Sequence, residues 1–177
     1  MLKTVLLGVL GALALGAAPR AEVVDATSDG FTVRQTVVVN VPAARAFEAL
    51  MQPGEWWDSS HTFSHDARNL SVDVTRRCLC EGLPNGGWTS HLQLITYAPG
   101  ERLVFEGGMG PMSASGATGH MVWSVAEADG HTTITWIYSI GGYLAGGGLQ
   151  PFAPAVDGMI GQQVRRLGAY LNTGRPG

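Results

Sequence analysis

Five side chains between residues 76 and 106 could do chemistry together: Arg76, Cys78, Cys80, His91 and Glu106. A histidine near a carboxylate and a guanidinium suits general acid–base work, with the imidazole moving a proton and the arginine steadying a developing oxyanion. The competing use of the same charges is an internal ion pair that satisfies Arg76. Two sulfurs and His91 offer a soft metal three donors, but no CxxC spacing supports zinc, and no metal is expected. There is no Gly-x-Ser-x-Gly elbow, no His-Glu-x-x-His and no phosphate-cradling glycine loop, and no cofactor is expected.

The element that must position these groups is a hairpin. Asn85-Gly86 sits between two strand-like runs, and Asn-Gly is a strong two-residue turn signal because both central residues need positive φ. Counting from Pro84 opposite Gly87 places Cys80 opposite His91 and Cys78 opposite Gln93. Upstream, Leu70, Val72 and Val74 alternate with Ser71, Asp73 and Thr75. If that strand runs on unbroken, Arg76, Cys78 and Cys80 point inward, joined by His91, Gln93, Ile95 and Tyr97. A bulge near Arg76-Arg77 would reverse the assignment. The cysteine side chains share a face but sit too far apart for an easy disulfide in regular strand geometry. The expectation is two buried, reduced, slowly reacting thiols; a bulge-assisted disulfide and a metal or redox site are the alternatives.

A second hairpin is predicted around Asp129-Gly130, with Ala128 opposite His131, Trp123 opposite Trp136 and Met121 opposite Tyr138. One face then collects Met121, Trp123, Val125, Ile134, Trp136 and Tyr138. The other carries His120, Ser124, Thr133, Thr135 and Ser139. Residues 31–40 read as a β-branched strand and Ala43 to Met51 as a short helix opened by Pro42, with Phe47 and Leu50 on one face. Glu55 to Asn69, with Trp56, Trp57, His61, Phe63 and His65, reads as a loop. Arg102 to Gly107 is a further strand, and Gly108 to Gly119 a glycine-rich crossing. From Pro154 to Asn172, Val156, Met159, Ile160, Val164, Leu167 and Leu171 recur at helical spacing, with Gln162, Gln163, Arg165 and Arg166 mostly opposite.

The 177 residues suit one domain, and a 45% hydrophobic content suffices for a sizeable core. Only 14% of residues are charged, the net charge is −3 and no basic cluster exists, which argues against nucleic-acid binding. Lys3 followed by the apolar run from Val5 to Ala18 reads as a secretory signal peptide over residues 1–21, with cleavage near Ala18 to Ala21. An uncleaved anchor is the alternative, although the run is shorter than the roughly 20 residues a span needs. Residues 22–29 read as a linker and 30–173 as the domain. The expected location is periplasmic or secreted, without stable membrane insertion after cleavage.

Strand, short helix, loop, antiparallel strands and a long last helix make an α+β chain, most simply a curved antiparallel sheet wrapped around the C-terminal helix with an internal cavity. This order, with Val41 to Leu50, Trp57, His61 to Ser64, Asn69 to Ser71, Cys78 to Glu81, Gly110 to Met112 and Gly141 to Tyr143, resembles the helix-grip fold of the START-like, or SRPBCC, superfamily. It is similar to bacterial members grouped with activators of the large heat-shock ATPase and with polyketide cyclases. The resemblance implies a small hydrophobic or amphipathic ligand held between sheet and helix. Candidate contacts are Trp57, His61, Arg76, Cys80, His91, Met121, Trp123, Trp136, Tyr138 and Met159. The alternatives are a cyclase- or hydrolase-like enzyme using His91, Arg76 and Glu106, and a periplasmic interaction module without a pocket.

Overall fold

A computed structural model describes residues 20–177. The segment read as a signal peptide lies outside the described residues up to position 19. Where a linker was expected, Arg20–Thr27 instead forms strand β1, which turns back at Ser28-Asp29 into β2, Gly30–Val39. The chain continues through α1 (Ala43–Leu50), β3 (Leu70–Asp73), β4 (Cys78–Gly82), β5 (Trp88–Ala98), β6 (Arg102–Glu106), β7 (Gly116–Ala128), β8 (His131–Tyr143) and α2 (Ala153–Thr173). All eight strands form one antiparallel sheet in the order β1-β2-β8-β7-β6-β5-β4-β3. With α2 packed against its inner face, this is an α+β helix-grip fold.

The helix earns its place through an apolar stripe: Ile160, Val164, Leu167 and Leu171 are buried. It also approaches β2 closely at two glycines. A Cβ at Gly168 would lie 2.7 Å from Val37 Cγ2, and one at Gly161 would crowd the Gln35 amide. Gly174, in the left-handed region at φ 76°, ends the helix.

The β7–β8 register is the one the Asp129-Gly130 turn predicts, with Trp123 opposite Trp136 and Met121 opposite Tyr138. Both turn residues take positive φ, 52° and 76°. The inner face is fully buried and its aromatics pack on one another. Trp123 and Trp136 stack with ring centroids 4.1 Å apart, and Trp56 sets its edge against both. Met121, Trp123 and Trp136, expected to line a ligand space, therefore belong to a filled core.

The β3-β4-β5 region departs from simple alternation twice. Residues 74–77 do not continue β3 but turn it back, so that Asp73 pairs with Cys78 and Val72 with Leu79. Arg77 takes a φ of 57° in this turn. The inner face thus passes from Leu70 and Val72 to Leu79 and Glu81, and Cys78 and Cys80 point to the other side. Across the next turn Asn85 and Gly86 do adopt positive φ, 70° and 80°, but Leu83 rather than Pro84 closes on Gly87. Cys80 lies opposite Ser90 instead of His91. A bulge then inserts His91 as an extra residue, which restores the expected pairing of Cys78 with Gln93 and turns Leu92 and Leu94 inward. Gln93 and Ile95, expected on the inner face, are exposed; a second bulge follows Leu94.

Candidate functional site

A cavity of about 390 Å³, open on one side, lies between the inner face of β3–β5, the loop 57–63, the crossing at 109–112 and the first turns of α2. Its wall is chiefly apolar: Leu70, Leu79, Met109, Met112, Val156 and Met159 supply much of it. Of the residues expected at a ligand site, Trp57, His61, His91, Tyr138 and Met159 line it.

The loop over the cavity is fixed at both ends. At one end, polar residues of α2 hold it: Gln162 Nε2 donates to Asp58 Oδ2 at 2.6 Å, the Asp58 amide donates to Gln163 Oε1 at 2.9 Å, and Arg166 Nε donates to the Trp56 carbonyl at 2.9 Å. Gln162, Gln163 and Arg166 were expected to face away; Gln163 is in fact fully buried. Its Nε2 lies 3.0 Å from His61 Nδ1. Hydrogen bonds from the Ser60 hydroxyl and amide hold the Asp58 carboxyl below the usual carboxylate range.

At the other end, Glu81 accepts the backbone amides of Phe63 and Ser64. Its side chain is 0% exposed, and its Oε2 lies 2.6 Å from His91 Nε2. Burial pushes the Glu81 pKa up, but hydrogen bonds from Ser64, Phe63 and His91 outweigh it and leave the group below the ordinary glutamate value. Glu81 is the residue sequence reasoning missed. The signal available was its position between Cys80 and the turn, which points inward once β3 turns back at residue 74.

Tyr138 contributes a wall but not a free hydroxyl. Its Oη donates to the Gly107 carbonyl at 3.0 Å and accepts the Met109 amide at 3.1 Å, fixing the crossing that carries Met109 and Met112. Burial pushes its pKa up to about 12. Gly107 and Gly110, at φ 138° and 60°, let this crossing turn sharply. Trp57 joins core to cavity: it lines the space, stacks on Trp136 with centroids 6.1 Å apart, and donates through Nε1 to the His61 carbonyl at 3.2 Å.

The remaining expected site residues lie elsewhere. Arg76 sits in the β3–β4 turn with its side chain 70% exposed, 3.6 Å from Asp73. Glu106 is exposed at the end of β6, opposite His120. The Arg76–His91–Glu106 group therefore does not assemble, because the turn at 74–77 carries Arg76 out of the strand. Cys80 faces away from the cavity, and its sulfur is paired with that of Cys78 in a disulfide rather than remaining a free thiol. Among the described residues, no group of three or more His, Cys, Asp or Glu side chains could hold a metal, and no helix is long and apolar enough to cross a membrane.

Solved structures share this architecture. DynU16, from the dynemicin biosynthetic locus, superposes with a TM-score of 0.57 at 24% identity, covering 82% of this chain and 48% of DynU16. This chain thus spans about half the length of DynU16. CalU16 from Micromonospora echinospora matches with a TM-score of 0.56 at 10% identity over 91% of this chain and 88% of its own. The Aha1 dimer from Colwellia psychrerythraea gives 0.51 at 10% identity over 81% and 97%. These likenesses show the fold. A search of curated proteins gave no match. The family model described as polyketide cyclase / dehydrase and lipid transport matches residues 30–172, from the start of β2 almost to the end of α2, and the chain belongs to that family.

Proposed function

We propose that this chain is an exported binding protein that holds one small, largely apolar molecule in the cavity between β3–β5, the loop 57–63 and α2. The observation that carries the reading is the space itself, about 390 Å³ with an apolar wall, beside a core that tryptophans otherwise fill. A pocket of that size, with a few polar groups on an apolar wall, suits a small organic ligand. The family's description, which includes lipid transport, supports a ligand-binding use. Export rests on the apolar run after Lys3, and the paired sulfurs of Cys78 and Cys80 fit an oxidising compartment.

The cyclase-like reading draws support from one observation, the Glu81–His91 contact at the cavity wall. It loses the oxyanion partner once assigned to Arg76. An interaction module without a pocket is disfavoured by the cavity.

Native mass spectrometry of protein purified from its own host, before and after organic extraction, tests the proposal. The expected result is a bound molecule that extraction removes and that quenches Trp57 fluorescence on return. A chain that emerges empty and responds to no apolar probe overturns it.

A further inference from the structure

We infer that His91 is a specificity-determining residue of this cavity, selecting apolar ligands that carry a hydroxyl donor of the phenol or enol kind. The inference rests on the cavity being a ligand site, as proposed above, and adds the chemistry that the site recognises.

The argument begins at Glu81. Its carboxylate receives the Phe63 and Ser64 amides, so it is placed among donors and serves as an acceptor. The His91 Nε2 at 2.6 Å must then supply the hydrogen, which fixes the neutral imidazole with its proton on Nε2 and a lone pair on Nδ1. Among the described residues Nδ1 has no hydrogen-bond partner, and it is not one of the buried polar atoms sealed without one. His91 lines the cavity with its side chain 9% exposed, and the Phe63 ring stands edge-on to it, centroids 5.0 Å apart. The backbone places it there deliberately: His91 is the extra residue of the β5 bulge, the device that re-aims a side chain within a strand. The result is a hydrogen-bond acceptor, oriented by a buried carboxylate, on an otherwise apolar wall. Tyr138 cannot compete for the role, because its hydroxyl is committed to Gly107 and Met109. A ligand of suitable shape that donates one O–H to Nδ1 gains a bond that its ether or its hydrocarbon parent cannot make.

Titration calorimetry with matched probes tests this at about pH 8, above the ordinary imidazole range. 1-Naphthol should bind about tenfold tighter than 1-methoxynaphthalene and naphthalene, the worth of one oriented hydrogen bond. The His91→Leu variant should bind all three alike, and in the wild-type chain the Nδ1 ¹⁵N resonance should move with naphthol but not with the ether. The wild-type comparison stands even if the variant folds poorly. Equal affinity of naphthol and its ether, survival of the preference in His91→Leu, or a preference for 1-naphthoate, which would require a proton on Nδ1, overturns the inference while leaving the cavity a ligand site. Failure of every probe to bind removes both readings.

Discussion

The β7–β8 and β4–β5 hairpins belong to one sheet and turn through residues of the same left-handed kind, yet one closes space and the other leaves it open. Along β7 and β8 the alternation is unbroken for thirteen residues each, so every second side chain reaches the same plane. Large rings placed in register meet face to face, as Trp123 and Trp136 do. Along β4 and β5 the strands are short or bulged, and the inner face is built from Leu79, Glu81, His91 and Leu92 in an irregular order. Irregular spacing prevents a tight interlock and lets a polar pair stand beside apolar neighbours. Regular strands make the core here, and the interrupted ones make the site.

The largest expected effect comes from breaking the regular side. Trp123→Ala removes a fully buried ring that touches Phe105, Trp56 and Trp136, and should cost about 3–5 kcal/mol in urea unfolding. If the loss is below about 1 kcal/mol, the core is not the close-packed stack described, and the contrast between the hairpins fails.

The same contrast explains what the sequence revealed. Uninterrupted alternation and an Asp-Gly turn made the β7–β8 register, the Trp123–Trp136 pair and the stripe on α2 readable in advance. Arg76 and Cys80 were misplaced because a four-residue turn and a bulge each shift parity by one, and no local residue preference announces either. His91 was placed on the inner face by a count that was wrong in register, and reaches it through the bulge. Glu81 and Gln163 went unread because their roles depend on backbone amides and loop groups far away in sequence, Phe63 and Ser64 for one and Asp58 for the other.

Breaking the polar pair on the interrupted side should come next in size. Glu81→Gln weakens two amide contacts and the link to His91, and should cost about 2–4 kcal/mol at neutral pH, as loss of a buried, charge-assisted group does. The pH dependence has a definite sign. Because folding depresses the Glu81 pKa, its contribution is complete above the ordinary glutamate value of about 4.3 and is lost as pH falls through the lower folded value. Acid unfolding curves of wild type and variant should therefore converge in that window. Curves that stay parallel would remove Glu81 as the anchor of the loop.

Filling the open side should barely disturb stability. Met159→Trp projects into the cavity from α2, where space exists, so the expected change in Tm is small, within about 1 kcal/mol of wild type. Ligand binding should be lost. A variant that still binds apolar probes with wild-type affinity would show that they occupy some other surface.

The smallest effect is expected at the Cys78–Cys80 pair, and it separates the two faces of β4. The disulfide closes a loop of three residues, for which the chain-entropy treatment allows on the order of 1.5 kcal/mol, and less where an extended strand already holds the ends near each other. Its sulfurs point away from Leu79 and Glu81, the β4 side chains on the cavity face. Mild reduction should therefore lower Tm by a few degrees at most and leave probe affinity unchanged, and without reductant the unfolded chain should take up no thiol label. Uptake of label would return the cysteines to free thiols. A change in affinity on reduction would mean that the outer face of β4 is coupled to the cavity, and that the interrupted strand does not insulate the site from what happens behind it.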